Sequence, residues 1–146
     1  SIAPAPASVP VVQQLAALVV DDSITMRRVT QRLLERRGVK VHTARDGLDA
    51  ITVLQEHPVD IILLDINLPG MSGWEALQRL KQSSQTRDIP VIAVTAAATE
   101  RDRNQGLRAG FFRYLTKPFN VEELIAAIRD ALALREQRRT GASQER

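Results

Sequence analysis

The sequence predicts an α/β fold: a single five-stranded parallel sheet, doubly wound, with a helix after each strand. Three observations lead there. Five short apolar runs recur along the 146 residues, five amphipathic stretches alternate with them, and each stretch opens on a helix-capping residue. Strictly alternating βα units build parallel sheets through right-handed crossovers. Five such units most often take the order 2-1-3-4-5, which makes strands one and three neighbours.

The apolar runs are Leu15–Val20, Val39–Thr43, Asp60–Ile66, Pro90–Thr95 and Phe111–Leu115. Three of them are rich in Val, Ile and Leu with little polar alternation, as expected of strands buried on both faces. Between them, Ser23 caps a helix running to about Arg37, and Gly38 stops it. Asp46 precedes a second helix that ends before Pro58. Ser72 and Glu75 form a capping box for the third. Thr99 opens the fourth, closed by Gly110, and Asn120 with Glu123 opens the last, which runs to about Arg135. In that last helix Val121, Leu124, Ile125, Ile128, Ala131 and Leu132 recur at three- and four-residue steps, one buried face.

Aromatics make up only 3% of the chain, so the core is expected to be aliphatic. There is no cysteine, which excludes disulfides and thiolate metal sites and is compatible with a reducing compartment. The net charge is +3, and part of it sits in residues 135–146, where four arginines face two glutamates. We read that end as a solvated basic tail. No apolar stretch approaches the ~20 residues that span a bilayer, so no membrane association is expected. Residues 1–14, rich in Ala and Pro, read as an extended linker cut from something longer. The expected organisation is linker 1–14, domain 15–135 and basic flexible tail 136–146.

In the predicted sheet, ligands sit at the carboxyl edge where the strand order reverses. Four signals fall at that edge: Asp21-Asp22 after strand one, Asp65 after strand three, Thr95 after strand four and Lys117-Pro118 after strand five. An acidic trio in one pocket is self-repelling, by roughly 4 kcal/mol for two charges about 4 Å apart at an effective dielectric near 20. Lys117 offsets one charge, and a hard divalent ion offsets the rest. Mg²⁺ fits, because it takes one or two carboxylates and keeps room for a phosphoryl oxygen. A carboxylate nucleophile in such a site can form an aspartyl phosphate. His42 and His57 lie away from this edge and receive no role.

Four segments then carry a resemblance: Val19-Val20-Asp21-Asp22-Ser23, Leu64-Asp65-Ile66-Asn67-Leu68-Pro69-Gly70-Met71-Ser72-Gly73, Ala93-Val94-Thr95-Ala96 and Tyr114-Leu115-Thr116-Lys117-Pro118-Phe119. In order and at strand ends, they make the chain similar to the receiver domains of two-component response regulators and hybrid histidine kinases, a flavodoxin-like fold. The resemblance spans about Leu15 to Leu134. It implies phosphorylation of Asp65 by a histidine kinase or histidine phosphotransfer domain. It implies Mg²⁺ on Asp21, Asp22, Asp65 and the backbone carbonyl of Asn67. Thr95 and Tyr114 become a switch pair, Lys117 a phosphoryl clamp, Ala96 a small residue leaving access, and Pro118 a structural cis proline. Asn67 and Ala97 would tune the lifetime of the phosphorylated state. The resemblance further implies a cytoplasmic protein that docks its donor beside the first helix, where Met26, Val29 and Leu33 accompany several arginines. It implies an output and self-association face on helix four, strand five and helix five, with no direct nucleic-acid contact. The run Phe111-Phe112-Arg113-Tyr114 departs from the small or acidic residues common there and resembles receivers fused to hybrid kinases.

Two rivals differ in class. A pseudo-receiver would be an interaction module without phosphorylation. An aspartate-based phosphohydrolase of the haloacid dehalogenase type would need a second acid two residues after its nucleophile, where this chain has Asn67.

Overall fold

The computed structural model describes residues 14–96 and 98–144, with side chains as far as Arg138. The linker reading therefore lies outside the described residues except at Gln14, as does Ala97. The elements alternate: β1 (Ala16–Val20), α1 (Ile24–Glu35), β2 (Lys40–Ala44), α2 (Gly47–Glu56), β3 (Ile61–Asp65), α3 (Gly73–Gln82), β4 (Val91–Thr95), α4 (Glu100–Ala109), β5 (Arg113–Thr116) and α5 (Val121–Gln144). All strand pairs are parallel, in the order β2-β1-β3-β4-β5.

Strand side chains alternate between faces, and the core divides accordingly. Leu18, Val20, Ile62 and Leu64 point to one face, where Ala50 of α2 and Ala76, Leu77 and Leu80 of α3 cover them. Ala17, Val19, Ile61 and Leu63 point to the other, under Leu34 of α1 and Leu124, Ala127 and Ile128 of α5. β3 is buried along all five residues, as the middle strand of a sheet covered on both sides must be.

The predicted caps form. Ser23 Oγ accepts from the Met26 amide, Asp46 Oδ1 from Asp49, and Asn120 Oδ1 from Glu123. Ser72 pairs with Glu75 in a capping box. Thr99 makes a second box, with Asp102 as its reciprocal partner.

Two of the boundary shifts have a clear structural cause. β5 starts at Arg113 rather than Phe111, because Gly110 turns at φ +124° and the Phe111 amide still bonds back to the Gly106 carbonyl. α5 continues to Gln144 rather than stopping near Arg135, so the backbone of the expected flexible tail is helical that far. Leu134 and Arg135 remain half-buried on it, which extends the packed face one turn past Ala131.

Candidate functional site

The register sets four strand ends side by side: Val20 pairs with Leu64, Asp65 with Val94, and Thr95 with Thr116. The residues that leave those ends converge. Carboxylate oxygens of Asp21, Asp22 and Asp65 all lie within 4.8 Å of one another. Asp21 and Asp65 are 5% and 6% exposed, whereas Asp22 faces solvent. Lys117 Nζ stands 3.2 Å from Asp21 Oδ2 and 3.2 Å from Asp65 Oδ2.

Backbone amides hold the other oxygens. Ser23 donates to Asp21 Oδ1 and Asn67 donates to Asp65 Oδ1, each at 2.9 Å. Each buried acid is thus fixed between its own loop and one shared ammonium. Arg27 of α1 adds a 2.7 Å bond to the Asp21 carbonyl, tying the first helix to the same loop.

Gly73 completes the support. Its amide donates to the Ile66 carbonyl at 3.0 Å. A Cβ there would stand 2.6 Å from Ile66 Cα and 2.9 Å from the Asp65 carbonyl oxygen. Only glycine lets α3 begin this close to the chain leaving Asp65. The residue belongs to a quoted motif but carried no predicted role; its signal is a glycine at the first helical position, where better helix formers are the norm.

Burial pushes the Asp65 carboxyl above the usual carboxylate range. The Asn67 amide and Lys117 oppose that rise, and Asp21 adds to it. Burial alone would lower the Lys117 ammonium, but its hydrogen bonds and charge contacts with Asp21 and Asp65 outweigh burial and raise it. Three carboxylates against one ammonium leave an acidic, oxygen-only cluster that can bind a metal ion. No imidazole or thiolate joins it among the described residues, so the donor set suits a hard cation.

A family model described as "Response regulator receiver domain" matches residues 17–129. The chain belongs to that family. Among relatives, it is 44% identical over 112 residues to the phosphate regulon transcriptional regulatory protein PhoB of Escherichia coli, covering 77% of this chain and 49% of PhoB. It is 38% identical over 116 residues to protein PilH of Pseudomonas aeruginosa, covering 80% of this chain and 96% of PilH. The chain spans about half the length of PhoB and nearly all of PilH. Among solved structures, chemotaxis protein CheY4 of Vibrio cholerae superposes with TM-score 0.77 at 32% identity, covering 82% of this chain and 99% of CheY4. The chain is thus a receiver domain of a two-component system with the CheY-like topology.

In this receiver Thr95 is buried at the end of β4, and its carbonyl accepts from the Lys117 amide at 2.7 Å. Ala96 beside it is exposed. Asn67 is exposed too. The Lys117-Pro118 peptide is cis, as expected from the resemblance. Tyr114 lies inward: its ring meets Phe111 edge-on at 5.6 Å, and Trp74 lies 6.4 Å away. Its hydroxyl is buried with no hydrogen-bond partner among the described residues. Burial, then the charge of Asp102, raises its pKa.

A Cβ on Gly106 of α4 would collide with the Tyr114 ring and hydroxyl. That glycine, unassigned from sequence, is the space Tyr114 occupies. A glycine inside a helix, at a cost near 1 kcal/mol relative to alanine, was the available signal. Trp74 is a packing residue, joined edge-on to Phe111 at 5.5 Å. Among the described residues no helix is long and apolar enough to cross a membrane.

Proposed function

We propose that this receiver accepts a phosphoryl group on Asp65 from a phosphohistidine of a histidine kinase or histidine phosphotransfer domain, with Mg²⁺ bound at the acidic trio. The observation that carries the reading is the sharing of one ammonium by two buried carboxylates, beside a third, at the end of the central strand. Mg²⁺, when bound, neutralises charge on the phosphoryl oxygens; Asp21, Asp22, Asp65 and the Asn67 carbonyl would hold it.

The chain's own residues do the rest. The Asn67 amide fixes Asp65 Oδ1 and Lys117 holds Oδ2, so the carboxylate is positioned in advance to act as nucleophile. As the new O–P bond forms, the P–N bond to the donor imidazole breaks. Lys117 then turns from two carboxylates to one carboxylate and the phosphoryl group. Thr95 supplies a hydroxyl to the phosphoryl oxygens, and exposed Ala96 leaves the approach open. Movement of Thr95 is read out by Tyr114 beneath α4, shifting the population of the α4-β5-α5 face. Hydrolysis of the acyl phosphate resets the domain.

The donor docks on α1, where Ile24 is 57% exposed and Val29 45%, next to the arginines of that helix. An apolar patch rimmed by cations suits a helical partner with an acidic rim. The domain boundaries we propose are those read from sequence, with a helical rather than loose start to the basic segment.

Incubation with acetyl phosphate and Mg²⁺, followed by intact-mass measurement, tests the reading. Wild type gains one phosphoryl mass, and Asp65→Asn gains none. A gain that survives Asp65→Asn refutes the site, and no gain in wild type favours a pseudo-receiver.

A further inference from the structure

On the sheet edge opposite Asp65, a cleft of about 850 Å³ opens between the last turn of α3, the segments entering β4 and β5, and the second half of α5. The floor is apolar, with Phe111, Phe112 and Leu134 along it and Leu107 at its lip, 48% exposed. The rim is basic: Lys81, Arg87, Arg135 and Arg138 face a single acid, Asp88. Arg135 also reaches Asp60, its Nη1 lying 3.9 Å from Asp60 Oδ1. Among the described residues, no carboxylate forms an ion pair with Lys81, Arg87 or Arg138.

We propose that this cleft is a second binding site, for a small amphipathic organic anion: a flat or branched apolar body carrying a phosphate, sulfate or carboxylate. The size lies within the roughly 300–1,000 Å³ of small-molecule sites. A flat protein-docking face would lack such concavity. Charge complementarity sets the sign, since four cations face one acid, Asp88, over apolar side chains, and three of the four are in no ion pair among the described residues. The Lys81 ammonium is held below its ordinary value by burial, with Asp88 opposing and the nearby Arg138 charge reinforcing the drop. An anion seated in the cleft relieves that like-charge crowding. The cleft shares α4, through Leu107, and α5 with the proposed output face, so occupancy there bears on the same elements from the far edge.

The test titrates the full chain, followed by ¹⁵N–¹H spectra, with naphthalene-2-sulfonate, neutral 2-naphthol and inorganic sulfate. None of these donates a phosphoryl group, so the outcome is independent of chemistry at Asp65. The sulfonate is expected to saturate at one site and to bind roughly tenfold tighter than either fragment probe. It is expected to shift the amides of Leu107, Phe112 and Leu134 while leaving those of Asp21 and Asp65 in place. Affinity should fall between about 0.01 M and about 1 M salt. Arg87→Glu with Arg138→Glu, both exposed positions, should weaken it by roughly tenfold or more with the Mg²⁺ response unchanged. Equal binding of 2-naphthol, indifference to salt or to the two substitutions, or shifts confined to the Asp65 edge would overturn the proposal. So would the absence of saturable sulfonate binding at millimolar concentration, which would leave the cleft to a macromolecular ligand.

Discussion

Gly73 shows how closely the chain is fitted around Asp65. An alanine there must displace Ile66 Cα or the Asp65 carbonyl, both backbone. We predict that Gly73→Ala destabilises the domain by about 1–3 kcal/mol, the usual cost of overpacking. It should also slow phosphorylation by acetyl phosphate at temperatures where the variant is still folded. Denaturant unfolding and a labelling time course measure the two effects. Wild-type labelling in a folded Gly73→Ala protein would show that the loop tolerates the shift.

A different residue contributes to acid sensitivity. His42 on β2 stacks on His57, with ring centroids 4.4 Å apart. Burial first, then the charges of His57 and Lys40, hold its pKa below 6.5. The unfolded chain therefore binds this proton more readily than the folded one. Stability is full above the unfolded value and falls as pH drops through it, levelling once the folded imidazole protonates. Unfolding midpoints between about pH 5 and about pH 7.5 should slope upward with pH, less steeply in His42→Gln. An unchanged slope in that variant would assign the effect to other groups.

Among the elements, α4 stands apart. Gly106 is its one buried residue, its mean character is strongly polar, and both ends rely on caps: the Thr99–Asp102 box and Gly110. A helix with so little buried surface opens at low free-energy cost. The Tyr114 ring fills the space over Gly106, so helix position and ring position are coupled. Gly106→Ala should gain helix propensity yet expel Tyr114, and Trp74, 6.4 Å from that ring, should report it as altered fluorescence. Unchanged Trp74 emission would mean that the ring stays and the helix moves instead.

Sequence reasoning reached the elements because their signals are local. Ser23, Asp46, Ser72, Thr99 and Asn120 each cap the helix they announce, and the apolar runs mark the strands. It missed what depends on distant neighbours. The approach of Gly73 to Ile66, the lodging of Tyr114 over Gly106 and the packing that prolongs α5 are tertiary facts with no periodic trace. The candidate site was legible for a related reason: parallel topology delivers every strand's carboxyl end to one edge. The sharing of Lys117 between Asp21 and Asp65, both at 3.2 Å, is the part that composition could not specify.

At the scale of the whole molecule, the fold concentrates opposite charge at its two sheet edges, acidic around Asp65 and basic around Arg87 and Arg138. The acidic edge has a thermodynamic consequence. A cation that binds only the folded chain stabilises it by mass action, by about 2.7 kcal/mol at one hundred times its Kd. Thermal midpoints should therefore rise with added Mg²⁺ in wild type and much less in Asp21→Asn. Equal rises in both would detach the ion from this trio.

The most direct measurement is chemical trapping of the phosphorylated residue. After reaction with acetyl phosphate, borohydride reduces an acyl phosphate on aspartate to homoserine, which peptide sequencing by mass spectrometry locates. The account predicts homoserine at position 65 alone, formed only when Mg²⁺ is present. Homoserine at another position, or at 65 without dependence on the ion, would contradict it.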